Sequence, residues 1–235
     1  MKKSLVLFLV LLFYLPSISI AYEVIEVKNG GGIEGIVRFA GATIPKDEIL
    51  AISSDVKYCG KSIPAEKFLI GPDRGIKNVV VFIENINSGK RIPTEVPVVA
   101  NKDCRFVPHV SVGFKGNEFT TTNSDPMFHN VHTYLGDRTM YNLGLSKKGS
   151  SATKRLGKTG IMEITCDAHP WMRGYAYILD HPYSTVTNEK GEFVIKDIPP
   201  GIYNLVAWHE ALGNVKIANI KVEAGKSSKI KLEYK

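Results

Sequence analysis

Three side chains that bind soft metal ions lie close together in the second half of this sequence. The segment Cys-Asp-Ala-His-Pro-Trp-Met begins at Cys166 and ends at Met172, with His169 between them. A thiolate, an imidazole and a thioether are typical of copper sites in which two His and one Cys bind the metal in a plane and a Met binds weakly along the axis. The segment therefore predicts a soft-metal site, and it requires one more His from another part of the chain.

The elements on both sides of this segment are predicted to be strands. Residues 160–165 and 174–179 are rich in β-branched and aromatic side chains and begin with glycine. A ligand loop between two adjacent strands is held at both ends, as a rigid site requires. Pro170 also restricts His169 to extended conformations.

A second segment contains two further histidines. Phe-His-Asn-Val-His begins at Phe128 and follows an Asn-Ser-Asp turn. Together the two segments resemble the cupredoxins, or blue copper proteins, and most closely the amicyanin type. That type has His-Asn-Val-His upstream and Cys-x-x-His-Pro-aromatic-Met-Arg-Gly downstream. Arg173 and Gly174 continue the match, and the resemblance extends over roughly residues 100–180.

The resemblance implies one type 1 copper ion, bound by His129, Cys166, His169 and Met172. It also implies that Asn130 ties the two ligand segments together and hydrogen-bonds the thiolate, which supports the site from outside the ligand set. His132 is expected to have a structural or surface role rather than to bind metal.

In cupredoxins the edge of the second His ligand reaches the surface among apolar residues. By this resemblance, His169 is expected at the centre of an electron-exchange and docking patch formed by Met127, Phe128, Pro170 and Trp171. Encounters of this kind use small, transient interfaces.

The chain has three cysteines. An odd thiol in an exported protein is either a liability or a functional group. Cys59 and Cys104 have no metal-ligating neighbours in the sequence, whereas Cys166 has two. We therefore predict a disulfide between Cys59 and Cys104 and assign Cys166 to the metal. The alternative is that the first two thiols are buried and free.

The first residues resemble a signal for export. Lys2 and Lys3 precede an apolar run, and Ser-Ile-Ala ends at Ala21, which predicts a signal peptide over residues 1–21. The alternative, a membrane anchor, is disfavoured because the run is shorter than the roughly 20 residues that a spanning helix needs. Without the two lysines the net charge falls from +7 to +5. The basic residues are dispersed, which argues against nucleic-acid binding, and we expect a periplasmic or secreted protein without stable membrane insertion.

Short alternating runs separated by Gly, Pro, Asn and Asp predict an all-β fold. We expect an N-terminal extension over 22–99 whose strands pack on a Greek-key cupredoxin β-sandwich over 100–180. A small fibronectin- or prealbumin-like β-sandwich is expected over 181–235. This last segment contains Gly191-Glu192-Phe193 and Pro199-Pro200-Gly201-x-Tyr203. In these residues it resembles carboxypeptidase regulatory-like modules and the fibronectin-like middle domain of rhamnogalacturonan lyases. We also predict a short helix over 46–52 and a strand pair formed by 106–112 and 118–122.

The leading functional prediction is an electron carrier of the periplasm, in which copper cycles between Cu(I) and Cu(II). Its partners would be transient redox proteins, and no enzymatic activity is expected. The alternative is a secreted binding module that recognises a glycan or a protein through the C-terminal sandwich, with the metal site structural or used for copper storage. Zinc is disfavoured, because its protein ligands are nitrogen, oxygen and thiolate rather than thioether.

Overall fold

The computed structural model describes residues 21–84, 86–95 and 97–235. The predicted signal peptide lies outside these residues except for Ala21. Within the described ranges the regular structure consists of strands and one four-residue helix, which confirms the all-β prediction. No helix in the described part of the chain is long and apolar enough to cross a membrane.

The first elements lie in the segment that was expected to form an N-terminal extension. They are β1 (Glu23–Val24), β2 (Gly31–Phe39), β3 (Ile49–Ala51), α1 (Val56–Cys59), β4 (Ser62–Pro64), β5 (Val80–Glu84) and β6 (Ser88–Gly89). The helix predicted over 46–52 is wrong, because β3 pairs antiparallel with β4 as a hairpin. The helix instead follows the hairpin's first strand.

The next nine strands form a sandwich of two sheets, here called the first sandwich. They are β7 (Val98–Lys102), β8 (Arg105–Val107), β9 (Val110–Phe114), β10 (Glu118–Asn123), β11 (His129–Leu135), β12 (Arg138–Leu145), β13 (Ser151–Arg155), β14 (Gly160–Thr165) and β15 (Arg173–Leu179). One sheet has the order β13-β10-β7-β8, and the other has the order β12-β11-β14-β15-β9. The strand pair predicted from 106–112 and 118–122 is wrong, since β9 and β10 belong to different sheets.

The core of the first sandwich lies between these two sheets. Val99 and Phe119 come from one sheet, and Val131, Ile164 and Ile178 come from the other. All five side chains are fully buried. The β3–β4 hairpin and the segment 166–172 add side chains to the same apolar cluster, so the predicted metal loop is part of this core.

A second sandwich contains the last five strands, β16 (Ser184–Val186), β17 (Glu192–Ile198), β18 (Gly201–His209), β19 (Gly213–Val222) and β20 (Ser227–Tyr234). Its sheets have the orders β16-β5-β18-β19 and β17-β2-β20. Two strands from the N-terminal segment therefore lie inside it. This differs from the predicted division, in which the strands of residues 22–99 pack on the copper domain.

Strand β5 explains how the two sandwiches meet. Val81 and Ile83 point into the core of the second sandwich, whereas Val80 and Phe82 point the other way. Those two residues pack with Trp208 and with first-sandwich residues of β9 and β15. The continuous apolar run of this strand thus reflects burial on both faces.

Candidate metal centre

The predicted metal loop joins β14 to β15. The two strands pair antiparallel, with Thr165 opposite Arg173, so the loop is closed at its base. Inside it, the backbone N–H of His169 donates to the carbonyl of Cys166 over 3.3 Å, and the N–H of Met172 donates to the carbonyl of His169 over 2.9 Å. These turns fix the conformation from which the ligand side chains project.

His129 is the first residue of β11, the strand next to β14. The register places His132 opposite Thr165, which directly precedes Cys166. The Nδ1 atom of His129 lies 2.9 Å from Nδ1 of His169 and 3.9 Å from Sγ of Cys166, and His169 Nδ1 lies 3.5 Å from the same sulfur. The fold therefore brings these three predicted ligands together, with their ligand atoms within 4.8 Å of one another.

Each of the two imidazoles places its other nitrogen against a carboxylate. The Nε2 atom of His129 lies 3.0 Å from Oδ2 of Asp125, and Nε2 of His169 lies 2.9 Å from Oδ2 of Asp55. Because an ionised carboxylate only accepts hydrogen bonds, each Nε2 carries the proton and each Nδ1 presents a lone pair. Two lone pairs 2.9 Å apart repel each other in a buried site unless a proton or a metal ion lies between them. The donor set therefore fits a metal ion.

Burial controls the protonation of His129 and of Cys166. His129, His169 and Cys166 are 0%, 1% and 2% exposed. Burial and then the neighbouring His169 lower the pKa of His129, although Asp125 and Asp55 oppose this effect. Burial raises the pKa of the Cys166 thiol. A metal ion that binds here must therefore displace the thiol proton, which makes its affinity dependent on pH.

Met172, the predicted axial ligand, is 2% exposed and belongs to the same buried cluster as Cys166. Its thioether is a soft donor that needs no deprotonation. Met172 lies in the last turn of the loop that also contains Cys166 and His169.

Asn130 belongs to the first predicted ligand segment, and its side chain hydrogen-bonds the second. Its Oδ1 accepts hydrogen bonds from the backbone N–H groups of Asp167 (2.8 Å) and Ala168 (3.3 Å). The same oxygen lies 3.4 Å from Sγ of Cys166. In this arrangement the thiol donates to Asn130, so the side chain of Asn130 is the acceptor rather than the expected donor.

The segment that contains Ser54, Asp55 and α1 covers the site. Ser54 Oγ donates to the carbonyl of Ala168 over 3.4 Å, and the Asp55 carboxylate meets His169. The expectation that His169 reaches the surface is wrong, because this segment leaves it only 1% exposed. Trp171 is 8% exposed, and its indole N–H donates to the carbonyl of Cys104 over 3.3 Å.

The predicted docking patch is therefore divided. Phe128 is 48% exposed, Pro170 is exposed and Met127 is partly exposed. Trp171 instead packs under the surface, with its ring centroid 5.0 Å from that of His169.

The disulfide between Cys59 and Cys104 is present, with the two Cα atoms 5.7 Å apart. Cys166 is a free, buried cysteine, as predicted. The disulfide joins the end of α1 to the turn between β7 and β8. It therefore anchors the segment that covers His169.

The remaining histidines lie apart from the ligand group. The Nδ1 atom of His132 lies within hydrogen-bond distance of Oδ1 of Asp167, at 3.0 Å, and its ring stacks on that of Tyr134. These contacts are structural. His109 and Glu210 form a buried pair between the two sandwiches, with Nε2 and Oε1 2.5 Å apart. Burial, and then the neighbouring His109 and Lys67, lower the pKa of His209 to about 4.

Sequence reasoning missed Asp55 and Asp125, the two carboxylates that contact the ligand imidazoles. Asp125 lies four residues before His129 and its N–H donates to Oδ1 of Asn123 over 2.9 Å. The Asn-Ser-Asp turn was therefore a usable local signal. Asp55 is 114 residues from its partner His169, and nothing local in the sequence connects them.

Comparison with known proteins gave two kinds of similarity. The profile of a family described as polysaccharide lyase family 4, domain II, matches residues 158–230. This range includes β14 and β15 of the first sandwich as well as most of the second. No curated protein sequence matched the chain.

Among solved structures, amicyanin from Paracoccus versutus is 20% identical, with a TM-score of 0.32 over 37% of this chain and 84% of amicyanin. A purple cupredoxin from Nitrosopumilus maritimus is 19% identical, with a TM-score of 0.31 over 35% of this chain and 98% of the cupredoxin. A copper-containing nitrite reductase from Thermus scotoductus is 18% identical, with a TM-score of 0.32 over 38% of this chain and 23% of the reductase.

Proposed function

We propose that this chain is an exported blue copper protein that carries electrons. His129, Cys166 and His169 would bind one copper ion, with Met172 as a weak axial ligand. The observation that carries the proposal is the convergence of two Nδ1 atoms and one Sγ atom within 4.8 Å in a buried site. No bond in a substrate is made or broken in this function.

The donor types support copper over other metals. A thiolate with two imidazoles and a thioether suits an ion that alternates between Cu(I) and Cu(II), because the set contains both soft and intermediate donors. The ligands are held by β11, β14 and the closed loop between β14 and β15. A site held in this way changes little in geometry between oxidation states, which favours fast electron transfer.

The expected location and partners follow from the same proposal. The predicted signal peptide over residues 1–21 supports export to the periplasm or beyond. Partners would be redox proteins that dock transiently. With His169 covered, docking would involve the exposed side chains of Phe128 and Pro170 rather than the imidazole edge.

The test is a titration of the metal-free protein with Cu(II). We expect an intense visible band from the bond between thiolate and copper that saturates at one equivalent. Cys166→Ser should abolish the band, whereas the control His132→Gln, altered next to the site but outside the ligand group, should keep it. Absence of the band in the wild type, or an unchanged band in Cys166→Ser, would refute the copper assignment.

Voltammetry then separates an electron carrier from a copper store. A carrier should give a reversible one-electron wave, because its ligands already suit both oxidation states. Copper that is bound but is not reversibly oxidised would support storage instead.

The profile match favours one second candidate, a module that binds polysaccharide through the second sandwich. Affinity electrophoresis of the full chain in gels with and without acidic plant polysaccharide tests it. Retardation that is the same for wild type and Cys166→Ser would support glycan binding independent of the metal. Equal mobility in both gels would refute it.

A further inference from the structure

The two predicted ligand imidazoles share one feature, which is that both outer nitrogens face carboxylates of the chain itself. His129 meets Asp125 and His169 meets Asp55, at 3.0 and 2.9 Å. The second contact bridges two parts of the chain that are 114 residues apart.

Asp125 is held rigidly. It is 1% exposed, and its oxygens accept hydrogen bonds from the backbone N–H groups of Asp103 (2.8 Å) and Cys104 (3.0 Å). The hydroxyl of Tyr58 donates to it over 3.2 Å. These three hydrogen-bond donors hold the buried carboxylate in position.

Asp55 is aimed at His169 rather than at its own helix. It occupies the N-cap position of α1 in the left-handed region, with φ of 48°, yet its side chain makes no capping hydrogen bond. Its backbone carbonyl instead accepts hydrogen bonds from the N–H groups of Tyr58 and Cys59, both over 2.9 Å. The carboxylate is thereby left free to bond the imidazole.

The disulfide links the surroundings of Asp55 to those of Asp125. Cys59 ends the helical turn that Asp55 begins, and Cys104 supplies an N–H to Asp125. The disulfide between these cysteines therefore connects the segments that carry both carboxylates. Tyr58, from the same turn, adds a direct bond to Asp125.

We propose that Asp55 and Asp125 are positioning residues for the metal, and that the disulfide between Cys59 and Cys104 holds them as one unit. They keep the proton of each ligand imidazole on Nε2 and so direct both Nδ1 lone pairs at the metal. This inference rests on the proposed copper function. A carboxylate on the outer N–H of a ligand His also makes the ring a stronger donor. Two nearby negative charges favour Cu(II) over Cu(I), so the pair lowers the reduction potential.

Asp55→Asn is the principal test variant, because Asp55 is 43% exposed and its loss should be tolerated by the fold. The potential of the copper-loaded protein should rise, and the affinity for Cu(II) should fall about 10-fold or more. Asp125→Asn should act in the same direction. The variant Cys59→Ser/Cys104→Ser, which keeps both carboxylates but releases the segment, should also raise the potential.

Asp103→Asn is the matched control. It removes one carboxylate from the same turn as Cys104, and the Asp103 side chain is exposed. The backbone N–H that bonds Asp125 is kept, so the potential should stay close to that of the wild type. Equal shifts in Asp103→Asn and Asp55→Asn would mean that general charge, and not the bond to the imidazole, sets the potential, and would overturn the proposal.

A second readout uses the protein loaded with Cu(I), which is diamagnetic. Long-range ¹H–¹⁵N correlation spectra should show both imidazoles protonated on Nε2 in the wild type. Asp55→Asn should alter the His169 signals and leave the His129 tautomer unchanged. Protonation on Nδ1 in the wild type would overturn the proposal. An intense copper band in all variants with an unchanged potential in Asp55→Asn would overturn this inference alone, whereas a wild type without the band would overturn the proposed function as well.

Discussion

Removing the disulfide should both destabilise the protein and uncover the metal site. Cys59 and Cys104 are separated by 45 residues. In the chain-entropy model, closing a loop of this length restricts the unfolded chain enough to stabilise the fold by about 4 kcal/mol. The variant Cys59→Ser/Cys104→Ser should lose most of this contribution to the free energy of unfolding. The strands of both sandwiches are left intact, so the substitution acts mainly by giving the unfolded chain more freedom.

The assay is urea unfolding of the metal-free proteins, followed by intrinsic fluorescence of Trp171 and Trp208. The slope of the transition should stay similar or increase, because the unfolded chain without the link exposes at least as much surface. Adding a reductant to the wild type should reproduce the variant's stability, which serves as the control. Hydrogen exchange should also accelerate at the amide of residue 59. In the wild type the N–H of Cys59 donates to the backbone carbonyl of Asp55 over 2.9 Å.

Two results would refute this reasoning. A loss of stability below about 1 kcal/mol would mean that the link does not restrict the unfolded chain in the way the loop length implies. Unchanged hydrogen exchange in α1 would mean that the covering segment is held by contacts other than the disulfide.

Three further predictions concern separate parts of the molecule. The pKa of His209 is lowered to about 4 from 6.5, so the unfolded chain binds a proton between these values that the folded chain does not, and stability should fall by up to about 3 kcal/mol as the pH drops through this window. His209→Asn keeps an acceptor for the N–H groups of Ala211 and Leu212 and should reduce this pH dependence. Urea unfolding at pH 7 and pH 4.5 checks it, and an equal loss of unfolding free energy between the two pH values in both proteins would contradict it. Met172→Leu should retain copper but raise the reduction potential, because the axial thioether is lost; potentiometric titration checks this, and an unchanged potential would argue against Met172 as a ligand. Phe119→Ala, at a fully buried position of the first sandwich, should cost about 3–5 kcal/mol of unfolding free energy, and a cost below 1 kcal/mol in urea unfolding would place Phe119 outside the core.

Much of the site could be predicted because its signals are local. Cys166, His169 and Met172 lie in one short loop, and the strands on both sides have clear β patterns. The metal-ligating residues near Cys166 in the sequence separated it from Cys59 and Cys104, and the structure confirms the disulfide between the other two. His129 lies far from the loop in sequence, but its own motif identified it.

The arrangement of the strands was not predictable in the same way. An alternating run such as β2 indicates a strand with one buried face. The backbone groups that pair with it are the same in every strand, so the pattern does not identify the neighbouring strand. For this reason the alternating pattern of β2 and the apolar run of β5 do not by themselves place these strands in the second sandwich. The same reason explains the wrong pairing of β9 with β10, which are adjacent in sequence but belong to different sheets.

The sequence by itself therefore indicated the all-β class, the three predicted ligands that converge and the disulfide. Only the tertiary structure decided that His169 is covered and that Asp55 and Asp125 hold the outer nitrogens of the ligand imidazoles. The physical reason is that ligand type and local spacing are chemical properties of short segments. A hydrogen bond between residues 114 positions apart exists only once the whole chain has brought them together.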